Sequence, residues 1–413
     1  MSKSLVASHS QGKHEPDKIF GVNAAANEKA KMVGKENIVN ASIGAFLDAN
    51  GELITLPTVE KTMYSLDFKD VAAYAPIAGL PDFIKAAIDV TFAEFKPDAY
   101  IDGVATPGGS GAIHHAIWNY TEVGDTYLTS DWYWGPYRTM AREMGRKIDT
   151  FVTFDENGNF NLKACLEKVQ ELARVQKNVL LIINSPAHNP TGFSLTFEEW
   201  EQLVAGLKEL AEKDENNIIL FVDIAYLDFT PPGSRKFFKL FSKLPANLLV
   251  IVAFSMSKGY TMYGYRTGCM IGISSDKEVI EEFFNVNQYS NRGTWSNGTR
   301  SGMRCLVELW KNPELMDQVK KEREEFRLSL EDRAKTFLDE AKKVGLEVCP
   351  YHSGFFITVP TTKSDEIAFK LQDDNIFIVP LARGLRIAIC AIPSEKIAGM
   401  ATKIKEAKDL LGG

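Results

Sequence analysis

Between Thr126 and Ser274 the chain alternates short runs of β-branched and aliphatic residues with longer amphipathic stretches. The runs are Thr126–Ser130, Ile148–Phe154, Val179–Asn184, Ile218–Asp223, Leu248–Ser255 and Cys269–Ser274, and most are apolar almost throughout. A strand with one wet face alternates apolar and polar residues, so continuous runs imply strands covered on both faces. The stretches between them have a helical period: in Thr196–Lys213, Trp200, Leu203, Leu207 and Leu210 recur every three or four residues among Glu and Lys. Strands alternating with helices predict an α/β fold with a mostly parallel sheet flanked by helices. Such sheets bind ligands at the carboxyl ends of their strands, which directs attention to the loops that follow these runs.

The tail follows another pattern. Asn312–Gly345 reads as one long charged helix closed by Gly345, and short strand-like runs follow at Gly354–Val359, Ile376–Val379 and Leu385–Ala391. A final helix is expected to start near Pro393 and Ser394 and run to Leu411. These elements predict a second, smaller α+β domain. No period of a solenoid and no low-complexity segment is present.

Composition acts as a filter on function. With 47 basic and 54 acidic residues the formal net charge is −7, so no global positive field exists to draw in nucleic-acid phosphates or an anionic membrane. Cys165, Cys269, Cys305, Cys349 and Cys390 stand singly without a C-x-x-C pair, which fits a reducing compartment and neither a zinc site nor a disulfide framework. The segment Met1–Asp17 is polar and holds no apolar run of signal length, and no membrane-spanning apolar run occurs, so a cytoplasmic location is expected. A nicotinamide dehydrogenase is disfavoured, because no G-x-G-x-x-G follows a first strand with an acidic residue about 20 positions on.

Four segments carry chemistry. Ser255-Met-Ser257-Lys258, followed later by Arg266, comes directly after the apolar run Leu248–Phe254, which puts Lys258 at a strand end. Partly desolvated there, its amine can titrate low and act as a nucleophile or Schiff-base former, while Arg266, Ser255 and Ser257 form a donor set suited to phosphate. The plain alternative is a surface lysine in a loop. Asn184-Ser-Pro-Ala-His-Asn189-Pro-Thr-Gly192 fixes Asn189 among turn-forming residues, which turn chemistry alone could explain. Asp223 closes the run Ile218–Val222 in the segment Asp223-Ile-Ala-Tyr226, where an unpaired carboxylate costs desolvation energy; the alternative there is a helix N-cap. Pro107-Gly108-Gly109-Ser110-Gly111 opens the helical run Ala112–Thr121, and the free N–H groups of such a start suit an anion.

In this order the four segments resemble the class I aminotransferases of pyridoxal-phosphate fold type I, in particular the aspartate and aromatic aminotransferase branch, from about Asn40 to Pro393. The resemblance implies a large domain with a seven-stranded type of mostly parallel sheet at 56–311, a smaller α+β domain at 312–413, and an arm at 1–55 that contributes to the small domain. It implies pyridoxal 5′-phosphate as cofactor. Lys258 matches the lysine that holds the cofactor covalently and shuttles the proton at the substrate Cα, and Asp223 matches the carboxylate paired with the pyridine nitrogen. Asn189 and Tyr226 match the groups bonded to the cofactor's ring oxygen. Trp132 matches the aromatic that stacks on the ring. Tyr133 and Trp134 are its rivals, because the residues after Trp132 depart from the family pattern and a usual histidine three positions on is absent.

Phosphate binding would fall to Gly109, Ser110, Ser255, Ser257 and Arg266, together with Tyr74 in Tyr74-Ala-Pro-Ile-Ala-Gly79. In the family that tyrosine comes from the other subunit, so a homodimer with shared active sites is implied. Arg386, in Gly384-Leu-Arg386-Ile-Ala-Ile, matches the grip on the substrate α-carboxylate; the alternative is a salt bridge at a sheet edge. Arg292, in Arg292-Gly-Thr-Trp295-Ser-Asn297, resembles the grip on a side-chain carboxylate that is borrowed from the neighbouring subunit. Arg300 and Arg304 compete with it, and Gly298-Thr299 stands where a proline pair often follows. Gly44 matches a backbone position beside the substrate, which Asn189 and Trp132 would also face.

The implied reaction moves an amino group from an L-amino acid, aspartate and glutamate or an aromatic one, to a 2-oxo acid such as 2-oxoglutarate. A lyase or synthase of the same fold would share Lys258, Asp223 and Arg386. A non-catalytic sensor or scaffold that inherited the fold is disfavoured by the presence of Lys258.

Overall fold

A computed structural model describes residues 4–14, 16–48, 50–213 and 215–413; the part of the Met1–Asp17 reading that rests on Met1, Ser2, Lys3 and Glu15 lies outside the described residues. The strands are β1 (Val39–Ala41), β2 (Tyr100–Thr106), β3 (Thr126–Ser130), β4 (Lys147–Phe151), β5 (Asn178–Asn184), β6 (Asn217–Asp223), β7 (Leu248–Ser255), β8 (Gly268–Ser274), β9 (Phe356–Pro360), β10 (Ile376–Leu381) and β11 (Gly384–Ala388). One sheet of seven strands has the order β2-β8-β7-β6-β5-β3-β4. Within it β8 runs antiparallel to β2 and β7, and the other neighbours are parallel.

The continuous apolar runs divide between two cores, one on each face. Val179, Leu181 and Ile183 of β5 pack with Trp200, Leu203 and Leu207 of the helix Phe197–Lys213, while Leu180 and Ile182 pack with Ala112, Ile113 and Ala116 of the helix Gly108–Tyr120. In β6, Leu220 and Val222 face one core and Ile219 and Phe221 the other. Phe221 is fully buried, and its truncation to alanine is expected to cost about 3–5 kcal/mol. The helix that begins at Phe197 is started by a capping box: Glu199 N–H donates to Thr196 Oγ1 at 3.1 Å, and Thr196 N–H to Glu199 Oε2 at 2.7 Å. Strand register brings the chemistry into line, since Asn184 at the end of β5 pairs with Asp223 at the end of β6, and Asp223 with Ala253 near the end of β7.

The second sheet has the order β1-β10-β11-β9, with β1 parallel to β10 and the other pairs antiparallel. The long helix Pro313–Val344 has Asn312 as its N-cap and Gly345 in the left-handed region (φ 67°) as its C-cap. It serves both cores: Val319 packs against the large sheet, and Leu330, Ala334, Phe337 and Ala341 against the small one.

Some elements differ from the sequence reading. Strand β2 was not read as a strand, because Asp102 and Gly103 interrupt its apolar run. The run Ile148–Phe154 forms a strand only to Phe151; Phe154 pairs instead in an isolated bridge with Phe160. Past Pro393 a short turn covers Ser394–Lys396, and the last α-helix starts at Met400, after Gly399 takes a left-handed φ of 90°. Among the described residues no helix is long and apolar enough to cross a membrane.

Candidate active site

A cavity of about 170 Å³ opens at the carboxyl ends of β5, β6 and β7. Its wall includes Gly109, Ser110, Asn189, Asp223, Tyr226, Ser255, Ser257, Lys258 and Arg266, which the sequence scatters over more than a hundred positions. Lys258 sits in a single turn, Met256–Gly259, capped by Ser255, whose Oγ accepts from Ser257 N–H at 3.2 Å. Its Nζ donates to the Gly44 carbonyl at 2.6 Å and lies 4.8 Å from the Tyr263 ring centre. Burial pulls the amine down to about 8; Arg386 and Arg266 reinforce this, and Cys390 opposes it. The turn is anchored from behind. Arg323 of the long helix donates through Nε to the Gly259 carbonyl, ion-pairs with Asp228 at 3.2 Å and lies over the Tyr260 ring at 4.1 Å. A Cβ on Gly259 would come within 1.9 Å of Asp228 Oδ2, so only glycine fits there.

Asp223 is 6% exposed. Its Oδ2 accepts from the Tyr137 hydroxyl at 2.7 Å and its Oδ1 from Ala225 N–H at 3.2 Å, so the carboxylate closes a local turn and caps no α-helix. Burial raises its pKa, and the bonds from Tyr137 and Ala225 hold that rise back. Asn189 is set by Asn184: Asn184 Oδ1 accepts from Asn189 N–H at 2.7 Å, and Asn184 Nδ2 donates to the Asp223 carbonyl at 2.9 Å. The side-chain amide of Asn189 lies 3.5 Å from the Tyr226 hydroxyl, a long contact that leaves both groups capacity for a ligand.

At the other end of the cavity the helix Gly108–Tyr120 starts without a side-chain cap, which leaves its first N–H groups available to an anion. Arg266 reaches over that start, with Nη1 donating to Ser257 Oγ at 3.2 Å and Nη2 to Ser110 Oγ at 3.5 Å. Gly108 has φ 64°, and a Cβ there would stand 2.9 Å from Arg266 Nη2. A Cβ on Gly44 would meet the Phe356 ring at 2.8 Å, so a side chain there would have to displace that ring.

Arg386 lies on β11, inside the small sheet and 3% exposed, which removes the sheet-edge alternative. Nη2 donates to the Ser42 carbonyl at 2.6 Å, the guanidinium lies over the Phe356 ring at 4.5 Å, and Nε has no partner among the described residues. A buried arginine with an unfilled donor and no ion pair among the described residues is built to receive an anion.

Two readings change. The tryptophan on the cavity wall is Trp134; Trp132 is buried outside it, beneath the turn between β10 and β11, with Arg383 over its ring at 5.5 Å. The residue three positions after Trp134 is Tyr137, the partner of Asp223. Tyr137, Tyr263 and Asn184 were not singled out as site residues; the W-G-P-Y spacing was the one local signal for Tyr137. Tyr74 and Arg292 do not line the cavity of their own chain: Tyr74 is 88% exposed, and Arg292 is exposed with Nη1 donating to Ser296 Oγ at 2.6 Å.

Pyridoxal phosphate needs an amine for its aldehyde, an anion facing its ring nitrogen, and donors for its phosphate and ring oxygen. Lys258, Asp223, the uncapped helix start with Arg266, and the pair Asn189 and Tyr226 supply these around one cavity, so the residues fit the group.

Comparison with known proteins agrees with this geometry. Residues 36–404 match the family described as aminotransferase class I and II. A cytoplasmic aspartate aminotransferase of Schizosaccharomyces pombe is 29% identical over 316 residues, covering 72% of this chain and 73% of that protein. A mitochondrial aspartate aminotransferase of Gallus gallus is 24% identical over 310 residues, covering 73% and 70%. The crystal structure of an aminotransferase from Anaerococcus prevotii superposes with a TM-score of 0.95 at 41% identity, over 98% of this chain and 99% of that one. The family match spans most of the sequence, and the chain belongs to the class I and II aminotransferases as a pyridoxal-phosphate-dependent transaminase of fold type I.

Proposed function

We propose that the protein exchanges amino groups between a dicarboxylic L-amino acid, aspartate or glutamate, and a 2-oxo acid such as 2-oxoglutarate, as a cytoplasmic homodimer with shared active sites. One observation carries the substrate class. Of the three candidate arginines, Arg300 and Arg304 are committed to Asp70, whereas Arg292 bonds only the Ser296 hydroxyl among the described residues. An exposed guanidinium with no acidic partner among the described residues, next in sequence to Asn291, whose amide holds the Ile77 carbonyl, is suited to reach a neighbouring subunit's substrate. Aromatic amino acids are the second reading, favoured by the rings of Trp134 and Tyr263 on the cavity wall. We also propose a large domain at 56–311, a small one at 312–413 and an arm at 1–55; the packing of Leu330, Ala334 and Phe337 with the small sheet supports the division, and the packing of Val319 with the large sheet blurs it at the start of the long helix.

When bound, the cofactor supplies an electron sink for the bond broken at the substrate Cα. Lys258 would hold it through Nζ, and the same nitrogen, titrating near 8, is suited to take and return the Cα proton. Asp223 would keep the ring nitrogen protonated, with Tyr137 holding its carboxylate in the charged form. Gly109, Ser110, Ser255, Ser257 and Arg266 would bind the phosphate, joined by Tyr74 of the second subunit, and Trp134 on the cavity wall would pack against the ring. Arg386 would bind the α-carboxylate, which satisfies its unfilled Nε, and Arg292 the distal one.

The test is an absorbance spectrum of the purified protein followed by titration with L-aspartate, L-glutamate, L-phenylalanine and L-tyrosine. The expected result is a visible band of the lysine-bound cofactor that is lost at the lowest concentrations of aspartate or glutamate, without release of ammonia. Ammonia release would point to a lyase, and tighter half-saturation by the aromatic pair would reverse the substrate order. A protein that stays colourless with added cofactor would overturn the reading.

A further inference from the structure

We infer that Thr358 is a positioning residue that fixes the spacing between Arg386 and Asn189, and so the fit of the substrate between them; this rests on the assignment of Arg386 to the substrate carboxylate and of Asn189 to a place beside the substrate. Thr358 on β9 stands directly opposite Arg386 on the antiparallel strand β11, so the two side chains leave the small sheet on the same face. Thr358 is fully buried. While the arginine turns to Phe356 and Ser42, the Thr358 hydroxyl donates to the carbonyl of Pro190 at 2.7 Å. Pro190 is the residue after Asn189.

Asn189 is therefore held from two sides. The large sheet holds its N–H through Asn184, and the small sheet holds the next carbonyl through Thr358. Other bonds between this loop and the small-sheet segment fall farther along: His352 N–H and Ser353 N–H donate to the Gly192 carbonyl at 2.9 and 3.1 Å, and Ser194 meets the His352 ring and the Ser353 hydroxyl. Thr358 thus ties the Asn189–Pro190 step itself to the strand partner of Arg386. A substrate gripped by Arg386 on one sheet and faced by Asn189 at the end of the other is bound well only while their spacing holds within about a few tenths of an ångström. Without the hydroxyl the buried Pro190 carbonyl loses this bond, and the loop is free to relax toward other partners.

The experiment compares Thr358→Val, which keeps shape and removes the donor, with Thr358→Ser, which keeps the donor, by steady-state kinetics with L-aspartate and 2-oxoglutarate. Thr358→Val should raise both KM values about tenfold with a smaller effect on kcat, and Thr358→Ser should return them to within about twofold. In an Arg386→Lys background the valine change should add less than about twofold, because its effect passes through that grip. Unchanged KM values in Thr358→Val, failure of serine to restore them, or fully additive effects would each overturn the inference. Should the valine chain not fold, Thr358→Cys, with a weak donor of similar size, should give an intermediate KM, and a KM equal to that of the unaltered enzyme would overturn it. An Arg386→Lys variant with an unchanged KM would instead remove the carboxylate assignment on which the inference rests.

Discussion

Around the cavity the polar side chains are bonded within the one chain: Lys258 to the Gly44 carbonyl, Asp223 to Tyr137, Asn184 to the Asn189 N–H. On the outer face that carries Tyr74 and Arg292 the side chains point to water, and Tyr64, Phe68 and Tyr289 are exposed with them. Yet the backbone under that face is pinned. Arg300 and Arg304 clamp Asp70, Arg300 Nη1 donates to the Tyr74 carbonyl at 3.2 Å, and Asn291 Nδ2 donates to the carbonyls of Ile77 and Ala105 at 2.9 Å each. His115 bonds the same asparagine at 3.0 Å and stacks on Trp295 at 4.4 Å. The difference teaches that the cavity residues close their bonds within the chain, whereas Tyr74 and Arg292 stand exposed over a hydrogen-bonded backbone, the arrangement that the proposed shared site calls for.

The comparison breaks most visibly at the cavity. Lys258→Ala should lower turnover by on the order of 10⁴-fold or more and abolish the visible band, read by stopped assays and spectroscopy; retention of full activity would remove the lysine from its role. Next in size, Arg292→Ala should raise KM for aspartate about 10²-fold and change aromatic substrates by less than about threefold, since only a charge pair at the far end of the substrate is lost. Equal losses for both substrate types would return Arg292 to the surface. Tyr137→Phe should lower kcat about tenfold and raise the pH below which Asp223 becomes protonated, because the bond that opposes burial is gone. Difference infrared titration of the carboxyl stretch in the cofactor-free protein measures that shift directly. The smallest effect concerns pH. Capture of pyridoxal phosphate by the cofactor-free chain needs the neutral amine of Lys258, so its rate should climb as pH rises through about 8 and level off above; a rise centred near 10 would show that burial does not act on Nζ as described.

Much of this was legible without coordinates, for identifiable reasons. The strand-end residues Lys258, Asp223 and Asn189 follow apolar runs whose continuity signals burial, and the structure brings all of them to one cavity. The capped ends of the long helix, Asn312 and Gly345, could be read because capping is a property of a few consecutive residues. Where the local signal was weak, the reading failed. The strand β2 carries Asp102 and Gly103 in its middle, and a loop of three aromatics, Trp132, Tyr133 and Trp134, gives no sign of which ring faces the cavity.

By itself the sequence determined the α/β alternation, the strand-end chemistry and the donor set for a phosphate, since periodicity and turn chemistry are written in neighbouring residues. Only the tertiary structure decided that Trp134 and not Trp132 lines the cavity, that Tyr137 holds Asp223, and that Thr358 reaches Pro190. The last two contacts join residues 86 and 168 positions apart. Such pairings are set by strand order, register and the packing of two cores against each other, and no window of consecutive residues contains that information.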